Sequence, residues 1–436
     1  MSTFICSSGI STAGVRAMAD PRQATAAKAR WPLVTIERDE SLRVTQVFAR
    51  APRKRPNGER PGEPMVRGPA SLADLSSFLR PTAAGTALLR ACLLEGERGK
   101  EALTTWLRSA PSADLLRPAG NRLFPLLAEA ARRSEIALDP FVRSRLRAAL
   151  ASEEVRYEGY CQLLGPALAA LLGDGVDILV LKGAAIAETV YPRPQLRHSH
   201  DIDVLVAPRQ HAGAVARLQR LGWQRERAGP ESDTDSFVHA FGLPLCVHTR
   251  WIRGSLGPTD FAALRSRARR IRLAGVLVPT PSPADALLHI LGQAVTSGTF
   301  RSLVWACDAF FCVDRSEEMD WHLFARELRK SPLAPAYLQL LGYLHDNLDL
   351  ALPGVITEAL GRGETGLSWP DCEILIASLD AGAFGRRRMW AASRWATRML
   401  LLKWLLWPRS DVARAISPDV PPWRLPFDNL RRVSRR

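Results

Sequence analysis

Two aspartates lie two residues apart at the start of the hydrophobic run Asp201-Ile202-Asp203-Val204-Leu205-Val206. In a β-strand, side chains alternate between the two faces, so Asp201 and Asp203 share one face and the β-branched residues share the other. Adjacent carboxylates repel each other unless a cation or strong hydrogen bonds compensate. Hard divalent cations such as Mg²⁺ prefer oxygen ligands and serve phosphoryl transfer. The spacing therefore predicts a metal site; the alternative is that both aspartates cap the neighbouring turn.

The elements around this pair predict a small α/β unit. A buried strand ends at Leu181, and Lys182-Gly183 forms the turn after it. The remaining predicted elements are a helix over 184–190, a connection over 196–200, a strand over 201–206, a helix over 208–222, and strands over 223–227, 237–241 and 245–248. Long helical patterns precede and follow this unit, so the predicted fold class is α+β with a small mixed or antiparallel sheet.

Changes in composition and hydrophobic pattern divide the chain into four parts. Residues 1–68 predict a disordered or weakly structured N-terminal extension, because they are rich in Arg, Pro, Gly and Ser. Residues 69–172 predict a helical region and residues 173–280 the α/β core. Residues 281–436 predict a second helical region with a basic tail, which begins at the helix start Ser282-Pro283-Ala284-Asp285.

The composition is that of an ordinary globular chain with an excess of arginine. There are 59 basic and 44 acidic residues, for a net charge of +15. Much of that charge lies from Arg386 onward, which favours an anionic membrane surface, a nucleic acid or an acidic protein partner; a core-packing helix with a solvated basic face is the alternative. The seven scattered cysteines form no CxxC pair. No secretory signal or bilayer-spanning run is present, so we expect a cytoplasmic protein with no integral membrane span, peripheral at most at the inner face.

A resemblance to a known family rests on the motifs of this region. They read Leu181-Lys182-Gly183, then Tyr191-Pro192, then Arg197, then the Asp-Ile-Asp strand. This order resembles the bacterial family called uncharacterised nucleotidyltransferases, within the DNA polymerase beta-like nucleotidyltransferase superfamily. The segments 281–289 and 302–308 and the pair Asp320-Trp321 are similar to that family's later motifs. The resemblance implies a nucleotidyltransferase core flanked by helical regions.

The resemblance also implies roles for individual residues. Asp201 and Asp203 would bind the metal ions, Mg²⁺ or Mn²⁺, and act in catalysis. Lys182 and Gly183 would lie near the nucleotide phosphates; an exposed strand-end lysine is the alternative for Lys182. Arg197 would contact the triphosphate, or else brace its loop by pairing with an acid.

The sequence departs from the family pattern at a third carboxylate, which usually completes the metal site. The family's Glu-x-His-Trp corresponds here to Cys246-Val247-His248, with the tryptophan displaced to Trp251. Alternation along the strand points Cys246 and His248 towards the metals, as a possible third-ligand position. His248 would bind the metal directly, or it would pack in the core or contact one of the metal ligands. The acids Glu231, Asp233 and Asp235 would replace the missing carboxylate or form a solvated loop.

Two functions follow as hypotheses. The first is a metal-dependent transferase that moves a nucleoside monophosphate from a nucleoside triphosphate (NTP) to an unidentified acceptor. The second is a catalytically impaired nucleotidyltransferase fold that acts as a nucleotide-binding or regulatory subunit. A hydrolase metal site on His198-Ser199-His200 is a third interpretation, and ordinary loop histidines are preferred to it.

Overall fold

A computed structural model describes residues 72–109, 122–199, 201–227, 234–239, 244–252, 260–296, 302–316, 319–331 and 334–361, with a few short stretches after residue 398. The predicted extension over residues 1–68 lies outside the described residues, as does most of the basic tail. The chain divides into two units between Met65 and Val66, and every described residue belongs to the second unit.

Helices occupy the described chain before the sheet, as the periodicity predicts. Their bounds are α1 Leu72–Leu79, α2 Ala83–Leu93, α3 Gly96–Ser109, α4 Phe124–Arg133 and α5 Pro140–Gly173. The carboxylate of Asp139 caps α5, because it accepts hydrogen bonds from the N–H groups of Phe141 and Val142. The second half of this 34-residue helix packs Leu164 and Leu168 against the sheet.

A five-stranded mixed sheet forms the centre of the unit. Its strands are β1 Ile178–Val180, β2 Ile202–Val206, β3 Gln224–Arg227, β4 Thr234–Val238 and β5 Pro244–His248, in the order β1-β2-β5-β4-β3. The β2 and β5 strands pair in parallel, and the other neighbours pair antiparallel. Helix α6 Lys182–Thr189 connects towards β2, and α7 His211–Arg220 precedes β3. The predicted α+β class with a small mixed sheet is confirmed.

The two faces of the sheet bury different sets of side chains. Ile202, Val204 and Val206 lie in a core that α5 and α7 cover. Leu205 lies in a smaller cluster on the opposite face, together with Trp251. The alternation predicted for this strand is therefore confirmed, and it assigns the side chain of Asp203 to the face of Leu205.

The chain after the sheet adds a hairpin and further helices. The bounds are α8 Phe261–Ser266, β6 Arg269–Leu273, β7 Val276–Thr280, α9 Pro283–Thr296, α10 Val304–Asp314, α11 Trp321–Lys330, α12 Ala334–Leu348 and α13 Gly354–Gly361. The apolar faces of α9 to α13 share one large core with α2, α4 and the loop before β2, as Leu89, Leu127, Leu196, Leu291 and Leu341 show. The helices on both sides of the sheet thus hold the loop that leads to Asp201.

The structure differs from the sequence prediction at three places. Lys182 and Gly183 are not a turn but the first residues of α6. The predicted strand over 237–241 lies instead at Thr234–Val238. The hairpin of β6 and β7 was not predicted; its turn at Ala274-Gly275 has positive φ at both residues and lacks an Asn-Gly or Asp-Gly pair.

Among the described helices, none is both long enough and apolar enough to cross a bilayer.

Candidate functional site

Asp203 is the buried centre of the site, with a side chain that is 2% exposed. Its backbone C=O accepts a hydrogen bond from the N–H of Leu181, which fixes the end of β1 against β2. Asp201 precedes β2 and is half-buried. Because Asp203 is the second residue of β2, its carboxylate lies near the N-terminal end of this strand, close to Asp201.

Lys182 provides a positive charge beside this carboxylate. It is the first residue of α6, and its Nζ lies 3.1 Å from Oδ2 of Asp203. Burial lowers the pKa of Lys182, but Asp203 and Asp201 raise it by more, so the net pKa is above its ordinary value. Lys182 is therefore a charged ion-pair partner of Asp203, about a quarter exposed, and not an exposed strand-end lysine.

His248 contacts the other oxygen of Asp203. The register of β2 and β5 brings His248 opposite Leu205, and its Nε2 lies 2.6 Å from Oδ1 of Asp203. Its Nδ1 lies 2.9 Å from Oγ1 of Thr234 on β4. Burial raises the pKa of Asp203, but the Lys182 ammonium and the hydrogen bond from His248 outweigh it and hold that pKa well below its ordinary value. Asp203 is therefore ionised and held at both oxygens.

Cys246 stands directly beside Asp203 in the sheet. The two residues are register partners in the parallel pairing of β2 and β5. The Cys246 Sγ and one oxygen each of Asp201 and Asp203 lie within 4.8 Å of one another. Burial, followed by the charges of Asp203 and Asp201, raises the pKa of the Cys246 thiol to about 12. Cys246 and His248 thus lie on the face of Asp203, as the alternation predicts.

Of the three side chains Asp201, Asp203 and Cys246, only the two carboxylates suit a hard divalent cation. Mg²⁺ is usually bound through one or two carboxylates, with water and substrate phosphates as its other ligands, and Asp201 and Asp203 could supply such a pair. A thiol is a poor ligand for Mg²⁺. In the described part of the chain, the group around these aspartates contains no third carboxylate.

The acids suggested as replacements for that carboxylate do not join the site where they are described. Asp235 is buried on the opposite face of the sheet, because it pairs with Val247 and not with Cys246. There it contacts Nη2 of Arg225 at 2.6 Å and Nε2 of His211 at 2.7 Å. Replacement by Asp235 was therefore a wrong alternative, and so was a solvated loop at this residue. Glu231 and Asp233 lie outside the described residues.

Arg197 is buried and directs its guanidinium towards an acid from a distant helix. Its Nε and Nη2 donate to the two carboxylate oxygens of Asp308 on α10, at 2.9 and 2.8 Å. Its Nη1 donates to Ser199 Oγ and to the C=O of His198. Tyr191 also donates to Asp308, at 2.7 Å. Of the two roles left open for Arg197, this geometry favours bracing the loop over contact with a triphosphate.

Gly183 lies where a side chain would be in tight contact with this arrangement. A Cβ at this residue would be 3.1 Å from Arg197 Nη1 and 3.5 Å from Ser199 Oγ. Gly183 therefore allows α6 to pack closely against the loop that carries Arg197. Among the described residues, no side chain caps the first turn of α6, so its N–H groups remain suited to an anion.

The sequence interpretation missed two residues near the site. Asp308 was recognised as part of a motif, but its contact with Arg197 was not foreseen. His289 on α9 is buried and stacks on Trp251, with ring centroids 4.4 Å apart. Burial and then the Lys182 charge lower the pKa of His289 to about 3, so it is neutral. The only sequence signal for it was its place in the helix start over 281–289.

His198, in the loop before Asp201, contacts a carboxylate of a neighbouring helix. His198 Nδ1 lies 2.7 Å from Oε1 of Glu153 on α5. This is consistent with the preferred interpretation of His198 as an ordinary loop histidine. His200, the other histidine of that motif, lies outside the described residues.

Comparison with known proteins gives the family. A family model described as uncharacterised nucleotidyltransferase matches residues 118–349, which is more than half of the chain. The chain therefore belongs to this nucleotidyltransferase family. Among solved structures, the chain is similar to the antibiotic-resistance factor ANT(2'')-Ia, determined in solution, with 13% identity and a TM-score of 0.25 over 52% of this chain and 93% of that chain. No curated protein matches the chain.

Proposed function

We propose that the protein transfers a nucleoside monophosphate from a nucleoside triphosphate to an acceptor, with the help of a divalent cation. The observation that supports this most directly is the cluster of Asp201, Asp203 and Lys182 in a chain of a nucleotidyltransferase family. Two carboxylates and an ammonium within one half-buried site are the groups that a metal–triphosphate complex requires. The acceptor is not identified by any of these residues.

Each residue has a proposed role in this reaction. A bound Mg²⁺ or Mn²⁺ would neutralise the charge of the triphosphate and that of the leaving pyrophosphate. Asp201 and Asp203 hold this cation, and His248 fixes the orientation of the Asp203 carboxylate. Lys182 turns towards the phosphates, and the first N–H groups of α6, at Lys182 and Gly183, bind a phosphate oxygen.

Arg197 is assigned a positioning role within the same proposal. Four of its five N–H donors are already used by Asp308, Ser199 and His198, so few remain for a phosphate. It holds the loop before Asp201 at the distance from α6 that Gly183 permits. A direct contact with the triphosphate would require these bonds to break.

A transfer screen tests the proposal. The full-length protein is incubated with each α-labelled nucleoside triphosphate, with Mg²⁺ or Mn²⁺, and with acceptor pools of small molecules, RNA and protein. We expect a labelled product that is lost in Asp201→Asn and in Asp203→Asn. Asp177→Asn is the matched control, because this partly exposed carboxylate precedes β1 away from the cluster and should leave transfer unchanged. Failure to label any pool with a folded protein would contradict transfer.

A second function is favoured by the thiol at the third-ligand position. Cys246 leaves the site with two carboxylates, so a nucleotide-binding or regulatory subunit without turnover is the alternative. Calorimetry distinguishes the two functions. Tight triphosphate binding without turnover supports the regulatory subunit, whereas turnover that Asp203→Asn abolishes excludes it.

The basic tail carries a separate prediction about partners. Its arginines lie mostly outside the described residues, and their excess predicts contact with an anionic membrane surface or an acidic partner. Co-sedimentation with anionic and neutral vesicles at two salt concentrations tests the membrane contact. Binding that is selective for anionic vesicles and weakened by salt is the expected result.

A further inference from the structure

The sulfur of Cys246 and the carboxylates of Asp201 and Asp203 place three donor atoms close together. The three atoms lie within 4.8 Å of one another, one from each side chain. In a tetrahedral site with metal–ligand bonds of about 2.0–2.3 Å, the ligand atoms stand roughly 3.5 Å apart. Small rotations of the partly exposed Asp201 and Cys246 side chains would bring the atoms to that separation. The spacing is therefore that of a loosely preformed cation site.

A second observation concerns the buried carboxylate in this group. Oδ2 of Asp203 is fully buried, and its partner among the described residues is the Lys182 ammonium, 3.1 Å away as an ion pair. Oδ1 is held by His248. The carboxylate is thus oriented by His248 at Oδ1, while Oδ2 keeps one lone pair for a cation beside the Lys182 ammonium.

The chemistry of the three donors decides which cation they prefer. Mg²⁺ and Ca²⁺ take oxygen ligands and bind sulfur weakly. Zn²⁺ and Co²⁺ accept sulfur together with carboxylate oxygen. A glutamate at position 246 would give an all-oxygen set, whereas Cys246 gives a mixed one. The thiol in this chain therefore shifts the preference of the site towards a softer cation.

We propose that Asp201, Asp203 and Cys246 form a site selective for a borderline divalent cation, such as Zn²⁺ or Co²⁺, over Mg²⁺, with the Cys246 sulfur as a direct ligand. On binding, the sulfur–metal bond forms as the S–H bond breaks and the proton leaves to solvent. The inference rests on the site of the proposed function and specifies its metal. Binding itself requires neither nucleotide nor transfer.

Cobalt spectroscopy of the full-length protein, without nucleotide, tests the direct ligand. Titration with Co²⁺ is expected to produce a sulfur-to-cobalt charge-transfer band in the near ultraviolet. Cys246→Ser keeps the size of the side chain and should lose the band. Cys161→Ser is the matched control, because this half-exposed thiol lies on α5 and should leave the band unchanged. A band that is missing in the unaltered protein, or that survives Cys246→Ser, overturns the proposal.

A measurement on the unaltered chain avoids any effect of substitution on folding. Alkylation of thiols, mapped by mass spectrometry, is compared with Zn²⁺, with Mg²⁺ and without a cation. We expect Zn²⁺ to protect Cys246 while Mg²⁺ does not, and we expect the alkylation of Cys161 to be unaffected by either. Equal labelling of Cys246 in all three conditions overturns the proposal.

Selectivity is tested by restoring an oxygen ligand. Cys246→Glu is expected to lose the charge-transfer band and to make Mg²⁺ a better competitor for bound Mn²⁺, as followed by electron paramagnetic resonance. Unchanged competition contradicts the assigned role of the thiol. A cobalt band without transfer in the screen rejects only the proposed reaction. Transfer with Mg²⁺ in a protein that shows no band rejects only the thiol site.

Discussion

Arg197 and Asp308 form a bidentate ion pair across 111 residues of sequence, with both side chains less than a tenth exposed. The pair joins the loop before Asp201 to α10 of the C-terminal helices. The charge of Asp308 raises the pKa of Arg197 further above its ordinary value, despite the opposing effect of burial. The position of the loop before Asp201 therefore depends on a helix that carries none of the proposed metal ligands.

Removing one member of this pair should destabilise the protein strongly. Arg197→Met retains most of the side-chain volume but leaves the Asp308 carboxylate buried with only Tyr191 as a partner among the described residues. A broken buried pair of this kind costs about 3–5 kcal/mol in the free energy of unfolding. Denaturant titration measures that loss, and the double variant Arg197→Met, Asp308→Leu should recover part of it because no charge remains buried.

The exposed pair of Arg98 and Asp349 provides the control for this experiment. Its side chains are about half exposed or more, so Arg98→Met should change the free energy of unfolding by about 1 kcal/mol or less. Equal effects of Arg98→Met and Arg197→Met on the free energy of unfolding would show that the buried Arg197 pair stabilises the protein no more than an exposed pair does.

Two helical glycines should respond oppositely to alanine. In Gly183→Ala the new Cβ would lie 3.1 Å from Arg197 Nη1, so the guanidinium must shift and weaken the bonds that Nη1 donates to Ser199 and His198. Gly213 on α7 is exposed, and a Cβ added there would meet no neighbouring atom of the described chain within 4 Å, so Gly213→Ala should stabilise by about 0.4–1 kcal/mol. Thermal unfolding should show a lower midpoint for Gly183→Ala and a higher one for Gly213→Ala. A raised midpoint for both would contradict the close packing assigned to Gly183.

The local part of the site could be predicted from the sequence. Period-2 alternation placed Asp203 on the face opposite Val204, and the same rule placed Cys246 and His248 on one face of β5. The parallel register of β2 and β5 then brings these residues together. Alternation gives the face of a side chain without knowledge of the rest of the fold, which is why these assignments agree with the structure.

Contacts between distant segments could not be predicted in this way. No periodicity relates Arg197 to Asp308, because their meeting depends on how α10 packs in the large core. Lys182-Gly183 resembles a turn locally, since glycine disfavours helices, yet both residues lie in α6, where Gly183 packs closely against Arg197. The hairpin of β6 and β7 carries many arginines, and its Ala274-Gly275 turn lacks the usual hairpin pair.

Lys182 should matter to the reaction more than to binding of the cation. Lys182→Met keeps the apolar stem and removes the charge that faces the proposed phosphates. Loss of one such group in the transition state lowers kcat by roughly 10²-fold. Steady-state transfer kinetics, once an acceptor is found, measure this, with Lys100→Met on the exposed face of α3 as the control. A normal kcat in Lys182→Met would remove the lysine from the proposed mechanism.

The buried neutral His289 should make folding sensitive to mild acid. Its pKa in the folded protein is about 3, against 6.5 for an ordinary histidine. Between these values the unfolded chain binds a proton that the folded chain does not, so stability falls as the pH falls below about 6.5. The slope approaches about 1.4 kcal/mol per pH unit, which amounts to about 2 kcal/mol on going from about pH 7 to about pH 5. His289→Phe keeps an aromatic ring against Trp251 but cannot titrate, so its free energy of unfolding should decline less over this interval. Denaturant titrations of both proteins at several pH values give the comparison, and parallel declines would show that His289 is not the source of the acid sensitivity.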